Sequence, residues 1–170
     1  MRKIFGWNSD KSLVYKARTF RNEWKYYLSL WDCQVLRERF QAVMQRDPYA
    51  KGGVYILRSL YFDDYWDSSY QDKMSGVNHR KKYRIRIYNY SDSSIKLERK
   101  IKEGNYIYKE SASLTREEYE RIMEGKYEFL LNHPNQLCRE FYYECTVHVM
   151  RPKLIVDYER EPFIIPEGNV

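Results

Sequence analysis

No stretch of this 170-residue chain approaches the ~20 consecutive apolar residues that span a bilayer, so no membrane segment is expected. Cysteine is scarce. Cys33, Cys138 and Cys145 are an odd set without a Cys-x-x-Cys pair, which argues against a disulfide framework and for a reducing compartment. Cys138, Cys145 and His148 match no usual zinc spacing and lack a fourth ligand, so they read as small buried thiols on an amphipathic segment. The start, Met1-Arg2-Lys3-Ile4-Phe5-Gly6-Trp7-Asn8, is basic but has no apolar core behind it. It does not read as a signal peptide, and the cytoplasm is the expected location. There is no internal repeat and no low-complexity tract. Phenylalanine is sparse beside tyrosine, seven against 18. Tyrosine packs a ring while keeping a polar tip, which suits strands with one wet face.

Net positive charge, by contrast, is confined to one window. Residues 80–109 hold ten Lys or Arg against three acids (Asp92, Glu98, Glu103), a net of +7 in a chain whose total is +6. The remainder therefore nets −1. The basic segments have a period of two. Lys82, Arg84 and Arg86 fall on one face of a strand, with Tyr83, Ile85 and Ile87 on the other. Lys96, Glu98 and Lys100 likewise oppose Ile95, Leu97 and Ile101. Cations aligned on neighbouring strands repel one another, so such a surface is costly without an anion. A ligand carrying several negative charges is expected.

Residues 1–17 lack periodicity and read as a flexible leader; 18–170 read as one domain. Residues 19–28 alternate, with Arg21, Glu23 and Lys25 on one face, and predict a strand. Leu36, Phe40, Val43 and Met44 recur at helical spacing and predict an amphipathic helix over 30–45, capped by Ser29 or Asp32. Residues 54–63 predict a second strand, and 64–76 a long loop or hairpin arm. The two basic strands follow, joined near 89–93, and Gly104-Asn105 turns the chain into a strand over 106–111. Thr115 and Glu118 form a capping box for a helix that ends at Gly125. A short helix through Leu130 and Leu131 stops before Pro134. Leu137, Phe141 and Cys145 favour a helix over 135–149, and 152–160 read as a last strand. Hairpin-linked strands with helices grouped between them predict an α+β fold with a largely antiparallel sheet. A closed barrel is the simplest way to concentrate its cationic face.

Five segments in order carry a resemblance. They are Arg21-Asn22-Glu23-Trp24-Lys25-Tyr26, Ser59-Leu60-Tyr61-Phe62-Asp63, Lys82-Tyr83-Arg84-Ile85-Arg86, Leu97-Glu98-Arg99-Lys100 and Pro152-Lys153-Leu154-Ile155-Val156-Asp157-Tyr158-Glu159-Arg160. Over about residues 18–170 the chain resembles the polyphosphate polymerase domain of the vacuolar transporter chaperone (VTC) type, in its bacterial form. That domain belongs to the CYTH-like triphosphate tunnel metalloenzymes. The resemblance implies an antiparallel β-barrel with flanking helices and a lumen lined by Lys and Arg. The lumen binds ATP or another nucleoside triphosphate by its phosphates. With Mn²⁺ or Mg²⁺ it moves the γ-phosphoryl group onto a polyphosphate chain. Lys25, Arg84, Arg86, Lys100, Lys109 and Arg160 match the family's catalytic phosphate ligands. Arg21, Lys82 and Lys96 join them as phosphate-binding candidates. The family's main metal-binding glutamate and further lumen cations have no counterpart before Val170. The barrel is therefore expected to lack its C-terminal strands, and the chain to bind triphosphate but make little polyphosphate.

Phosphoryl transfer needs positioning and positive charge on the phosphate oxygens, which arginines two apart on a strand can supply bidentately. The plainer reading of Arg84 and Arg86 is a solvated face paired with acids, but acids are scarce there. Lys25 alone would be an ordinary surface lysine; its alternation and motif single it out. Glu23 and Glu98 sit among cations and are expected to hold lysines by ion pairing. A carboxylate facing triphosphate is also a natural Mg²⁺ or Mn²⁺ site, which makes both the candidate metal ligands. Tyr61 and Asp63 read as sheet packing and capping. Two other classes stay open: a metal-dependent triphosphatase with water as acceptor, and a non-catalytic polyanion- or RNA-binding module. Tyr83 lies opposite Arg84 and Arg86, so aromatics and cations are not interleaved, which speaks against nucleic acid. Open strand edges would invite pairing with another chain, so an oligomer is compatible with this reading.

Overall fold

The computed structural model describes residues 23–165. Helix α1 (Leu30–Val43) leads into the short strand β1 (Gln45–Arg46) and then strand β2 (Tyr55–Asp63). Helix α2 (Ser68–Met74) precedes three long strands: β3 (His79–Tyr88), β4 (Ser91–Glu103) and β5 (Tyr106–Leu114). Helix α3 (Arg116–Met123), a 3₁₀ turn (Glu128–Asn132) and helix α4 (Gln136–Val147) follow, then β6 (Arg151–Arg160) and β7 (Phe163–Ile164). Strands β5-β4-β3-β2-β6 form one antiparallel sheet, and β1 pairs with β7.

The α+β class and the antiparallel sheet are thus found. Among the described residues β5 and β6 are sheet edges, and no closed barrel is found. The hairpins are local chemistry. Asn89 and Tyr90 both take positive φ (50° and 55°), the two-residue turn whose twist matches paired strands. Gly104 (φ 58°) starts the next turn.

One sheet face is apolar and covered. Phe62, Tyr83, Ile85, Ile95, Leu97, Ala112 and Leu114 pack beneath Ile122 of α3, Leu130, and Leu137, Phe141 and Cys145 of α4. Phe141 sits at the junction, its ring 5.1 Å from Phe62 and 5.3 Å from Tyr83. Both cysteines of α4 are buried as expected, and burial pushes each thiol up to about 12. The predicted capping box is present, with the Thr115 hydroxyl accepting from the Glu118 N–H at 3.1 Å. No helix among the described residues is long and apolar enough to cross a membrane.

Several expectations need correction. Residues 23–29 form no strand; Trp24, Tyr26 and Tyr27 are exposed, so the alternation has no buried face to support it. The part of that expected strand over 19–22 lies outside the described residues. Helix α1 forms, but Val43 is exposed and no residue of α1 is fully buried. It is held instead by Arg37 on Glu161 (2.8 Å) and Phe40 against Phe163 (5.5 Å). The expected loop over 64–76 contains α2, because the Asp63 carboxylate accepts from the N–H groups of Ser69 and Tyr70 at 2.9 and 3.1 Å.

Phe141→Ala should cost about 3–5 kcal/mol of stability, because its ring bridges sheet and helix layers. Urea denaturation checks this; a loss under ~1 kcal/mol would show that the helices do not depend on that junction.

Candidate phosphate-binding face

The other sheet face is built by register. Tyr61, Arg84, Glu98 and Ser111 lie opposite one another across four strands, as do Ser59, Arg86, Lys96 and Ser113. A third row sets Lys82 beside Lys100 and Lys100 beside Lys109. Directly opposed residues have Cβ atoms about 4.5–5.5 Å apart, so like charges there repel.

Glu98 organises the cluster. Its side chain is 2% exposed. Arg84 donates to it from Nε at 2.8 Å and lies at 2.7 Å through its second amino group. Lys109 donates at 3.0 Å, and Arg86 approaches to 3.6 Å. Burial alone would raise the Glu98 pKa, but Arg84, Lys109 and Arg86 outweigh it and hold the carboxyl below its usual range. The arginines are fixed from their other sides. Arg84 donates to the Tyr61 hydroxyl at 3.0 Å; Arg86 donates to the Ser59 hydroxyl at 3.1 Å and to the Tyr158 hydroxyl at 3.4 Å. Burial opposes the Arg84 charge, but Glu98 and Tyr61 outweigh it and raise its pKa.

The remaining candidates divide by position. Lys100 is paired with Glu23, which reaches the face from the irregular segment before α1. Lys25 is not on a strand; its side chain is 79% exposed and lies 3.8 Å from Glu23. Lys96 donates to the Ser113 hydroxyl at 2.7 Å. Lys82 has no ion-pair partner among the described residues, and burial together with Lys73 lowers its pKa. Arg160 stands at the far end, opposite Tyr55. Arg21 lies outside the described residues. The sheet thus brings together Lys82, Arg84, Arg86, Lys96, Lys100 and Lys109, whereas Lys25 joins only through Glu23.

On β3 and β4 the odd-numbered cations Lys81 and Arg99 go to the helix face and are consumed there. Arg99 donates to Glu110 at 2.7 Å and to the Tyr83 hydroxyl at 3.1 Å, and pairs with Glu140. Lys81 pairs with Glu144, which also contacts His148. Burial works against the Arg99 charge, but Tyr83 and Glu110 raise its pKa nonetheless.

Two sequence readings change here. Tyr61 is not mere packing, since it orients Arg84. Tyr88 and Tyr158 also share the cationic face, so tyrosines and cations are interleaved after all. Tyr83 alone gave the opposite impression because parity within one strand says nothing about its neighbours. The candidate metal ligands are both committed to cations, Glu98 to three and Glu23 to Lys100 and Lys25. No group of three or more His, Cys, Asp or Glu among the described residues could hold a metal. Alone, these residues do not fit Mn²⁺ or Mg²⁺.

Glu98→Gln should leave three cations facing one another and cost about 3–5 kcal/mol at neutral pH. Because the folded carboxyl titrates below its unfolded value, its stabilisation is present above the ordinary carboxylate range. It is lost as pH falls through the folded value. The gap between wild type and variant should therefore narrow on acidification below pH ~4. Equal stability of the two at pH 7 in urea would contradict the assignment.

The comparison with curated proteins gives no match. A family model, described as the VTC domain, matches residues 20–170, a span that contains every strand of the cationic face. That match covers most of the molecule and coincides with the basic sheet, and the chain belongs to the VTC domain family.

Proposed function

We propose that the cationic face binds the phosphates of a nucleoside triphosphate or of polyphosphate, and that the protein transfers the γ-phosphoryl group onto a polyphosphate chain. The observation that carries this reading is the Arg84–Arg86–Glu98–Lys109 cluster. Three cations around one carboxylate leave an excess of two positive charges held in fixed positions. Arginine guanidinium groups keep spare N–H donors for phosphate oxygens. Lys82, Lys96 and Lys100 extend the charge along the sheet. Family membership supports a polyphosphate-related enzyme.

In the proposed step the terminal oxygen of the acceptor chain attacks the γ-phosphorus, the bond to the β-phosphate oxygen breaks, and the nucleoside diphosphate leaves. Arg84 and Arg86 would neutralise the charge that builds on the transferred group. Preorganised cations supply this without reorganising at the moment of reaction. A Mg²⁺ or Mn²⁺ ion would supply further neutralisation of phosphate charge in this reading, with Glu23 or Glu98 as its anchor only after release from their cations. In a tunnel, this sheet would form one wall of the lumen. Interleaved tyrosines favour single-stranded RNA as a second reading, since bases stack on such rings.

Arg84→Ala with Arg86→Ala should weaken tripolyphosphate binding by at least 10-fold, since a charge-assisted contact is worth about 1.5–3 kcal/mol. Calorimetry at low salt measures this, with an oligoribonucleotide as competitor. Unchanged affinity in the double variant would remove the reading, and tighter binding of the RNA than of tripolyphosphate would favour the second one. Incubation with ATP, followed by ³¹P NMR, separates chain growth from release of inorganic phosphate by a triphosphatase.

A further inference from the structure

The fork of Arg84 is already occupied. Its Nε and one terminal nitrogen both reach the same Glu98 oxygen, Oε2, at 2.8 and 2.7 Å. Its other terminal nitrogen donates to the Tyr61 hydroxyl at 3.0 Å. Parallel N–H groups of one guanidinium are the arrangement that grips a phosphate, so the carboxylate sits where a phosphate oxygen would be held. The second Glu98 oxygen, Oε1, accepts from Lys109 at 3.0 Å. Glu98 thus ties β3 to β5 from the strand between them.

Arg86 is held differently. Its Nε donates to the Ser59 hydroxyl at 3.1 Å and one terminal nitrogen to the Tyr158 hydroxyl at 3.4 Å. Its remaining nitrogen stands 3.6 Å from Glu98, beyond hydrogen-bond reach. The Arg86 side chain is only 6% exposed, so a buried cation receives the weakest share of the one carboxylate. The Lys109 side chain is 49% exposed and has ammonium protons to spare. An incoming phosphate therefore finds open donors at Arg86 and Lys109, whereas at Arg84 it must compete with Glu98. The arginines are pinned by Tyr61, Ser59 and Tyr158. The carboxylate is the part that can yield, because Oε1 can keep Lys109 while Oε2 gives up Arg84.

We propose that Glu98 is the resident counter-anion of the face, surrendering Arg84 to each phosphate group and taking it back when that group moves on. This rests on the phosphate reading above and adds a means of release. Cations with no anion among them would trap a polyanion, and an ion passes along a row of sites only where each binds weakly enough to let go. Exchanging one anion for another also spares the sheet the repulsion of bare neighbouring cations. Glu98 acts here through Arg84, as a positioning residue, and trades affinity for movement of the chain.

The test is calorimetry of tripolyphosphate, with EDTA present, on the full chain of wild type, Glu98→Gln and Glu110→Gln. Surface plasmon resonance follows the dissociation of long-chain polyphosphate from each. Glu110 pairs with Arg99 on the helix side, so Glu110→Gln changes the net charge equally on the opposite face. Glu98→Gln should bind tripolyphosphate about 10-fold more tightly, the scale of one charge-assisted contact, and release polyphosphate correspondingly more slowly. Glu110→Gln should match wild type. Loss of a residue that only supported the fold would weaken binding, so equal or weaker affinity in folded Glu98→Gln overturns this inference alone. Equal tightening in Glu110→Gln overturns it as well. Should Glu98→Gln not fold, ¹³C NMR of the wild type decides. The Glu98 carboxyl signal should shift saturably with tripolyphosphate, in step with the Arg84 Nε–H, and an unmoved carboxyl beside a shifted Arg84 overturns the inference. Failure of the wild type to bind tripolyphosphate overturns the phosphate reading and this inference together.

Discussion

The buried Glu98 carboxylate is the constraint on which the cationic face depends. Arg84, Arg86 and Lys109 come from two strands flanking β4, and without a shared anion they would force that part of the sheet apart. Taking a carboxylate out of water costs several kcal/mol, which only close charge-assisted contacts can offset. Glu98 has such contacts, and the arginines in turn are braced by Tyr61, Ser59 and Tyr158. The residual positive charge is therefore held in place before any ligand arrives.

The two faces of one sheet solve opposite problems. On the helix side each cation is consumed: Arg99 by Glu110, Glu140 and the Tyr83 hydroxyl, and Lys81 by Glu144. On the other side positive charge exceeds negative, and no helix of the core layer covers it. Alternation along β3 and β4 makes this division possible, because adjacent residues serve different layers. The edge strand β6 continues the cationic side towards Arg160 while exposing Leu154, Ile155 and Val156.

Much of this was legible in the sequence. The period of two around Lys82, Arg84 and Arg86 identified both strand and face, and Thr115 with Glu118 marked a helix start. Local signals of that kind travel with the residues themselves. What escaped notice depends on register between strands or on distant partners. Tyr61 meets Arg84 and Ser59 meets Arg86 only because β2 pairs with β3 in one particular alignment. The reading of residues 23–28 as strand failed for a related reason: alternation is necessary for a half-buried strand, but a pairing partner decides it. Likewise α2 forms because Asp63 and Asp64 supply acceptors for its first N–H groups, a role that neither aspartate advertises alone.

The central claim is that phosphate oxygens contact Arg84 and Arg86 on this face. The most direct measurement is a two-dimensional NMR titration of arginine Nε–H signals with tripolyphosphate. Arg84 and Arg86 should shift together and saturably. Arg116 of α3, tied to Glu120 and to Asp92 of β4, should stay still. Shifts confined to Arg116 and other surface arginines, with Arg84 and Arg86 unmoved at saturation, would contradict the account.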